Sequence, residues 1–210
     1  MFDLTLSTLV MRILAALPII GLHGFALALG ARLLGDQQAH REGRLTISPF
    51  SHLDPVGLLA FILLGIGWIL PIPMSVKRMR GQYLAIPLVL AAGLLPVMLL
   101  AALAVYLLPW AAVSFSYSTA PLVGAFLAVL ARLSIGFVIF NLLPFPPFSL
   151  GQILAACSDE WRAQVRRFQT PLGIIALVAG FLLLPWITGS VNAVVRSVFG
   201  NITMLLRSSF

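Results

Sequence analysis

The chain has 210 residues, 60% of them hydrophobic and 9% charged, with a mean hydropathy of +1.07. Soluble domains carry about 25% charged residues, so this composition excludes one and specifies an integral membrane protein. Thirteen Lys and Arg against six Asp and Glu give +7, but the excess sits in short segments beside apolar runs, which fits topology and lipid contact and excludes a nucleic-acid-binding tract.

The first apolar run, residues 4–34, is interrupted only by Arg12 and His23 and predicts one long or tilted helix. It has no small-residue cleavage pattern and exceeds a signal-peptide core, so it is expected to stay in the mature chain. Next comes GDQQAHREGRLTISPFSHLDP, in which GRLTIS alternates like a short strand while Pro49 and Pro55 forbid a continuous helix. The apolar run at residues 56–70 is short for a crossing and either re-enters the membrane or tilts through it. Residues 83–108 and 121–143 predict two full spans, the second containing Arg132, joined by the uncharged loop PWAAVSFSYSTA. The segment PFPPFSLGQILAACSDEWRAQVRRFQ predicts a proline-rich turn and an amphipathic helix outside the membrane, and residues 171–187 predict a further span.

Residues 188–210 space apolar side chains at helical intervals around Arg196 and Arg207, the pattern of a helix lying at the interface. The expected organisation is a transmembrane domain over residues 1–187 followed by that interfacial helix. Its class is all-α and polytopic, with about four to five transmembrane helices and a small β-hairpin or re-entrant loop. Lys77, Arg78 and Arg80 precede one span, Arg162, Arg166 and Arg167 follow the next, and both basic segments are expected on the cytoplasmic side. The single cysteine, Cys157, excludes an internal disulfide and any CxxC motif, and reads as a small apolar side chain on the helix outside the membrane.

HGFAL, His23 to Leu27, keeps the i, i+4 spacing by which H-E-x-x-H presents two imidazoles to one zinc, with the glutamate beside the metal-bound water. Here Gly24 takes the place of the glutamate and Leu27 that of the second histidine. Four segments, HGFALALGARLLGD, AHREGRLTISPFSHLDPVG, AAGLLPVMLLA and FNLLPFPPFSLGQIL, resemble in order the motifs of the site-2 protease family of intramembrane zinc metalloproteases. The usual forms are HExxHAxxAxxxGD, GRLTLNPxxHxDPxG, an AGPxxN helix and NLLPxPPLDGGRIL. The resemblance covers about residues 17–155, and its most specific pieces are the GRLT…HLDP loop and the NLLPFPP turn.

The resemblance implies a site-2 protease-like core in which His23 matches the first zinc ligand, Gly24 the catalytic glutamate, Leu27 the second ligand and Ser149 the aspartate that completes the site. Ala92, Gly93 and Asn141 are retained, Leu94 and Val97 replace a proline and an asparagine, and His52 and Asp54 match HxDP. The implied protein is a catalytically inactive homologue with no cofactor, a multi-pass inner-membrane pseudoenzyme. Its partners are expected to be membrane lipids and another integral membrane protein, for which it is a binding, scaffold or accessory subunit. Arg132, Asn141, His52 and Asp54 are the candidate binding residues, and the backbone of Leu45 to Ser48 a candidate edge for pairing with an extended segment.

The alternative is an active metalloprotease with a rearranged site drawn from His23, His52, Asp54 and His40, its base supplied by Asp36, Glu42 or Asp54. A small transporter is disfavoured, because neither paired broken helices nor an intramembrane acid is visible. Individually, His23 reads as a neutral imidazole bonded to a carbonyl or to Asn141, and His52 and Asp54 as loop-fixing and helix-capping groups. Ser149 reads as a turn residue, since the sequence identifies no adjacent base. Arg12 is expected to reach the interface, and Arg132, deeper in its span, to meet a carboxylate of another subunit.

Overall fold

The computed structural model describes residues 5–183. The predicted interfacial helix and the end of the last predicted span lie outside the described residues. Four helices are long and apolar enough to cross a membrane: α1 (Leu6–Leu33), α4 (Ala85–Ser114), α5 (Ala120–Asn141) and α7 (Asp159–Leu182). Shorter helices lie between them, α2 (Gln38–Arg41), α3 (Pro55–Leu64) and α6 (Ser149–Ala155). The chain is therefore an all-α polytopic membrane protein.

Helix α3 decides the topology. Asp54 caps it, its Oδ1 accepting from Val56 N at 2.9 Å and Gly57 N at 2.8 Å, and Pro55 supplies the preset φ of a first helical residue. Ten residues rise about 15 Å, half the hydrocarbon thickness. The helix then stops at Gly65, whose φ of +73° is open to glycine at no steric cost. The chain runs back until Leu70 N donates to the His52 carbonyl at 2.8 Å. Residues 56–70 thus re-enter rather than cross. With α3 discounted as a span, the N-terminal end of α1 lies opposite the basic end, where Arg80 N donates to the Leu34 carbonyl at 2.7 Å and Val76 N to that of Ala156 at 3.1 Å.

Two sequence expectations are corrected. GRLTIS forms no strand, and among the described residues β pairing is limited to a single bridge between Leu53 and Ile69. An alternating segment needs a partner strand, and this one packs on a helix instead. The Ile47 carbonyl sits where a side chain on Gly21 of α1 would be, and the backbone is pinned by Ser48 N donating to Thr46 Oγ1 at 3.2 Å. The second correction concerns Pro171. The predicted amphipathic helix and the span after it are one continuous helix, α7, which starts at the Ser158 cap with Asp159 and Glu160 in its first turn and runs through Pro171. Cys157 consequently lies in the turn between α6 and α7, partly packed against the core.

The core gathers Ala15, Ala16, Ile19, Ile20 and Leu27 of α1, Val89, Leu94 and Val97 of α4, and Phe137 of α5. Arg12 is buried at its edge instead of reaching the interface. Its Nη1 donates to the carbonyls of Ile62 at 2.6 Å and Leu63 at 3.0 Å, in the last turn of α3, where helix carbonyls lack partners and the dipole is negative.

Candidate functional site

Four elements meet around His23. Its Nδ1 lies 2.9 Å from the Gly93 carbonyl of α4, and its Nε2 lies 2.8 Å from Ser149 Oγ at the start of α6. A carbonyl can only accept, so Nδ1 carries a proton and donates it to Gly93, while the single Ser149 hydroxyl proton has two acceptors within reach, His23 Nε2 and Asn141 Oδ1, each at 2.8 Å. Asn141, the last residue of α5, accepts from Ser149 N at 3.0 Å and sits 2.8 Å from Ser149 Oγ. Its Nδ2 donates to the carbonyls of Phe137 at 2.8 Å and Gly67 at 3.2 Å. His23, Asn141 and Ser149 are all buried, and Phe137 meets the His23 ring edge-on with centroids 4.8 Å apart.

Local sequence explains the convergence. The prolines of NLLPFPPF turn the chain back on α5 within eight residues, which brings Ser149 to Asn141. Gly151 is needed there, because a Cβ would run into the Phe145–Pro146 backbone. Gly93 is needed on α4, since its Cβ would come within 2.6 Å of Leu27 and 3.0 Å of the His23 ring. The retained Ala92–Gly93 pair therefore lets α1 and α4 close up, with Ala92 seated against Gly30. Leu94 and Val97 are ordinary core residues.

The ring of His52 occupies the space beside Gly24, and any Cβ at position 24 would overlap it. His52 Nε2 holds the Thr46 carbonyl at 2.8 Å, while its buried Nδ1 has no hydrogen-bond partner. Burial lowers the pKa of this imidazole below its ordinary value, against the opposing pull of the Thr46 carbonyl. The other sequence-selected residues lie apart from this cluster. Asp54 caps α3 and accepts from Gln169 Nε2 at 3.2 Å. Asp36 accepts from Ser75 N at 2.5 Å and Gln38 N at 3.1 Å, fixing the basic-end loops, and His40 and Glu42 are exposed. Arg132 is exposed on α5.

This donor set does not fit a zinc ion. A catalytic site needs about three protein ligands and an open position. Here one imidazole nitrogen points at the site and is already bonded to a hydroxyl, Leu27 supplies hydrocarbon, and the described residues contain no group of three His, Cys, Asp or Glu able to hold a metal. The sequence identifies no base adjacent to Ser149, and the fold brings His23 to hydrogen-bond distance of it, from 126 positions away. No local pattern reveals such a pair, and only the coupling of the HGFAL and NLLP motifs hints at it. The pair has the spacing of an activated serine but not the surroundings. Ser149 is 1% exposed, and its own N–H, the nearest donor for an oxyanion, is taken by Asn141. The arrangement joins α1, α4, α5 and α6 through a network of buried polar groups.

Four apolar helices around a re-entrant segment, with the HGFAL helix, the Ala-Gly helix and the NLLP turn in contact, define a polytopic membrane protein whose interior is organised around the metalloprotease-like motifs. Comparison with known proteins supports that relationship. The chain is 33% identical over 132 residues to the protein of Bacillus subtilis (strain 168) named "Putative zinc metalloprotease YwhC", over 60% of this chain and 59% of that protein. The match thus spans less than two thirds of the relative. No family model and no solved structure matches the chain.

Proposed function

We propose that this protein is a catalytically inactive relative of the intramembrane zinc proteases, a multi-pass inner-membrane protein that serves as a binding, scaffold or accessory subunit for another membrane protein. The observation that carries the reading is the bond between His23 Nε2 and Ser149 Oγ, 2.8 Å long. The nitrogen that would ligate a metal is committed to the side chain standing in for the aspartate. Around it, the place of the base is filled by the His52 ring and that of the second ligand by Leu27 packed at Gly93. A bundle built this way retains its helix packing without metal, and packing is what recognition of another membrane helix requires.

The test is purification in mild detergent with elemental analysis and mass spectrometry of what accompanies the protein. The expected result is far less than one zinc per chain, a melting temperature indifferent to chelator, and a membrane protein recovered in fixed ratio. About one zinc per chain, removed by chelator together with a fall in melting temperature, would overturn inactivity and favour the enzyme.

A further inference from the structure

The basic end carries a cavity of about 390 Å³ that the network around His23 does not touch. Arg44, from the loop after α2, and Arg166 of α7 both line it, together with Glu42, Gln169, Leu70 and Pro71. Arg44 is partly buried and held in place, its Nη2 donating to the Pro71 carbonyl at 3.3 Å and its backbone N to that of Ala39 at 2.8 Å. The ion pairs among the described residues, Lys77 with Asp159 and Arg162 with Asp159, leave Arg44 and Arg166 out. The two guanidiniums are close enough to repel: burial lowers the Arg44 pKa, Glu42 raises it, and the Arg166 charge lowers it again.

The acids of the described residues are engaged elsewhere. Asp36 accepts from the backbone of Ser75 and Gln38, Asp54 caps α3, Asp159 pairs with Arg162, and Glu160 accepts from Ser158. Glu42 lines the cavity, but its Oε1 accepts from Gln38 Nε2 at 3.0 Å, so one carboxylate stands against two guanidiniums. Gln169 adds a second demand. It is 6% exposed, its Nε2 donates to Asp54 Oδ2 at 3.2 Å, and its buried Oε1 has no hydrogen-bond partner. The carboxylate fixes which way the amide faces, so the orphaned atom is an acceptor, which a hydroxyl would satisfy. The volume falls in the range of about 300–1,000 Å³ typical of small-molecule sites. The charged residues of α7 all lie in 159–167 and residues 171–182 carry none, so Arg166 stands at the border of its apolar stretch, the level at which basic side chains meet lipid phosphates. A phosphate ester presents anionic oxygens that two guanidiniums can share, and a glycerol ester adds hydroxyls.

We infer that the cavity between Arg44, Arg166 and Gln169 binds a phosphate ester with free hydroxyls, the chemistry of a phosphoglycerol lipid headgroup or of its soluble counterpart. The cavity shares no residue with the His23–Ser149–Asn141 network, so the inference stands whether or not the chain is an enzyme.

The experiment titrates the full chain in a non-ionic detergent with short-chain phosphatidylglycerol, short-chain phosphatidylcholine and glycerophosphoglycerol, the headgroup without its acyl chains. Bound ligand is counted by native mass spectrometry, and melting temperature is followed in parallel. Phosphatidylglycerol should bind about tenfold more tightly than phosphatidylcholine, the scale of one charge-assisted hydrogen bond. The preference should vanish in Arg44→Gln and in Arg166→Gln. Arg166 is exposed, so its variant tests the site without disturbing the fold, whereas Arg44→Gln also loses the bond to Pro71. Arg167→Gln removes the same charge one position along α7, outside the cavity lining, and should keep the preference. A response to the lipid without one to glycerophosphoglycerol assigns the occupant to the membrane, and an equal response to both assigns it to solution; either supports the site. Equal binding of the two lipids with no response to glycerophosphoglycerol overturns the inference. So does a preference that Arg166→Gln leaves intact, or one that Arg167→Gln abolishes as fully, which would make it the general attraction of a basic protein for anionic lipid.

Discussion

The junction around His23 and the outer face of α5 handle polar groups in opposite ways, though both lie in spans of similar composition. At the junction both nitrogens of His23, the hydroxyl of Ser149 and both side-chain atoms of Asn141 have partners inside the protein. On the outer face a guanidinium has none among the described residues. In a metal enzyme of this shape the reactive groups belong at the junction, open to water and substrate. Here the interior is closed by mutual hydrogen bonds, and the group with unmet chemistry has been left on the surface. The difference lies within one helix, because α5 ends in Asn141, tied into the interior network, and presents Arg132 on the outer surface.

The most severe way to break the junction is Gly24→Glu. A side chain there collides with the His52 ring and adds a carboxylate without a cationic partner, so we expect a loss of at least about 3 kcal/mol or failure to accumulate. Thermal unfolding in detergent reads it. A variant as stable as the parent would show that His52 does not occupy that space.

A second change asks whether the inward chemistry is recoverable. Leu27→His with Ser149→Asp should create a three-ligand set with His23, since residue 149 already touches His23 Nε2 and position 27 already faces the same gap beside Gly93. About one zinc per chain by elemental analysis is expected, against far less in the parent. Position 24 is left alone, so metal should bind without hydrolysis. If the folded double variant takes up no extra zinc, residues 23, 27 and 149 do not converge as ligands.

The helices were legible in the sequence because a span needs nothing beyond about 20 apolar residues, and α1, α4 and α5 satisfy that on composition alone. The re-entrant α3 was half legible. Its length argued against crossing, and the Asp54–Pro55 start marked where it enters, but the return at Gly65 depends on the packing of residues 66–75 beneath it. The union of the basic helix with the last span was missed, since Pro171 reads as a boundary and only the folded chain shows that the helix continues through it. At the site, motif order singled out His23, Ser149 and Asn141 without showing that they touch. That His52 would stack on Gly24 could not be read at all, because an absent side chain leaves no pattern in the sequence to say what fills its place.

Asn141→Ala probes the junction at its hub. It removes two donations to carbonyls and leaves Ser149 N without an acceptor, a buried loss of about 2 to 3 kcal/mol. Asn141→Asp should be comparably poor, because a carboxylate cannot donate to the Phe137 and Gly67 carbonyls. A neutral effect of both changes would mean that α5 and the NLLP turn are held by apolar packing alone.

The smallest expected effect concerns His52 and acid. Burial lowers its folded pKa, so its unfolded form binds protons more readily, near the ordinary value of about 6.5. Stability is therefore fully present above that value and is lost as pH falls toward the lowered folded pKa, the slope being positive wherever the unfolded state holds the extra proton. Burial is the largest cause and the Arg44 charge adds to it, while the Thr46 carbonyl, bonded to Nε2, favours the protonated ring and offsets them only in part. Nδ1, which would have to receive the proton, has no acceptor beside it. Melting temperatures measured from pH 8 down to 5 should fall on the acid side in the parent and fall less in His52→Gln, whose amide can still donate to the Thr46 carbonyl but does not titrate. A parent curve that the substitution leaves unchanged would assign the acid sensitivity to other groups and leave His52 as packing over Gly24.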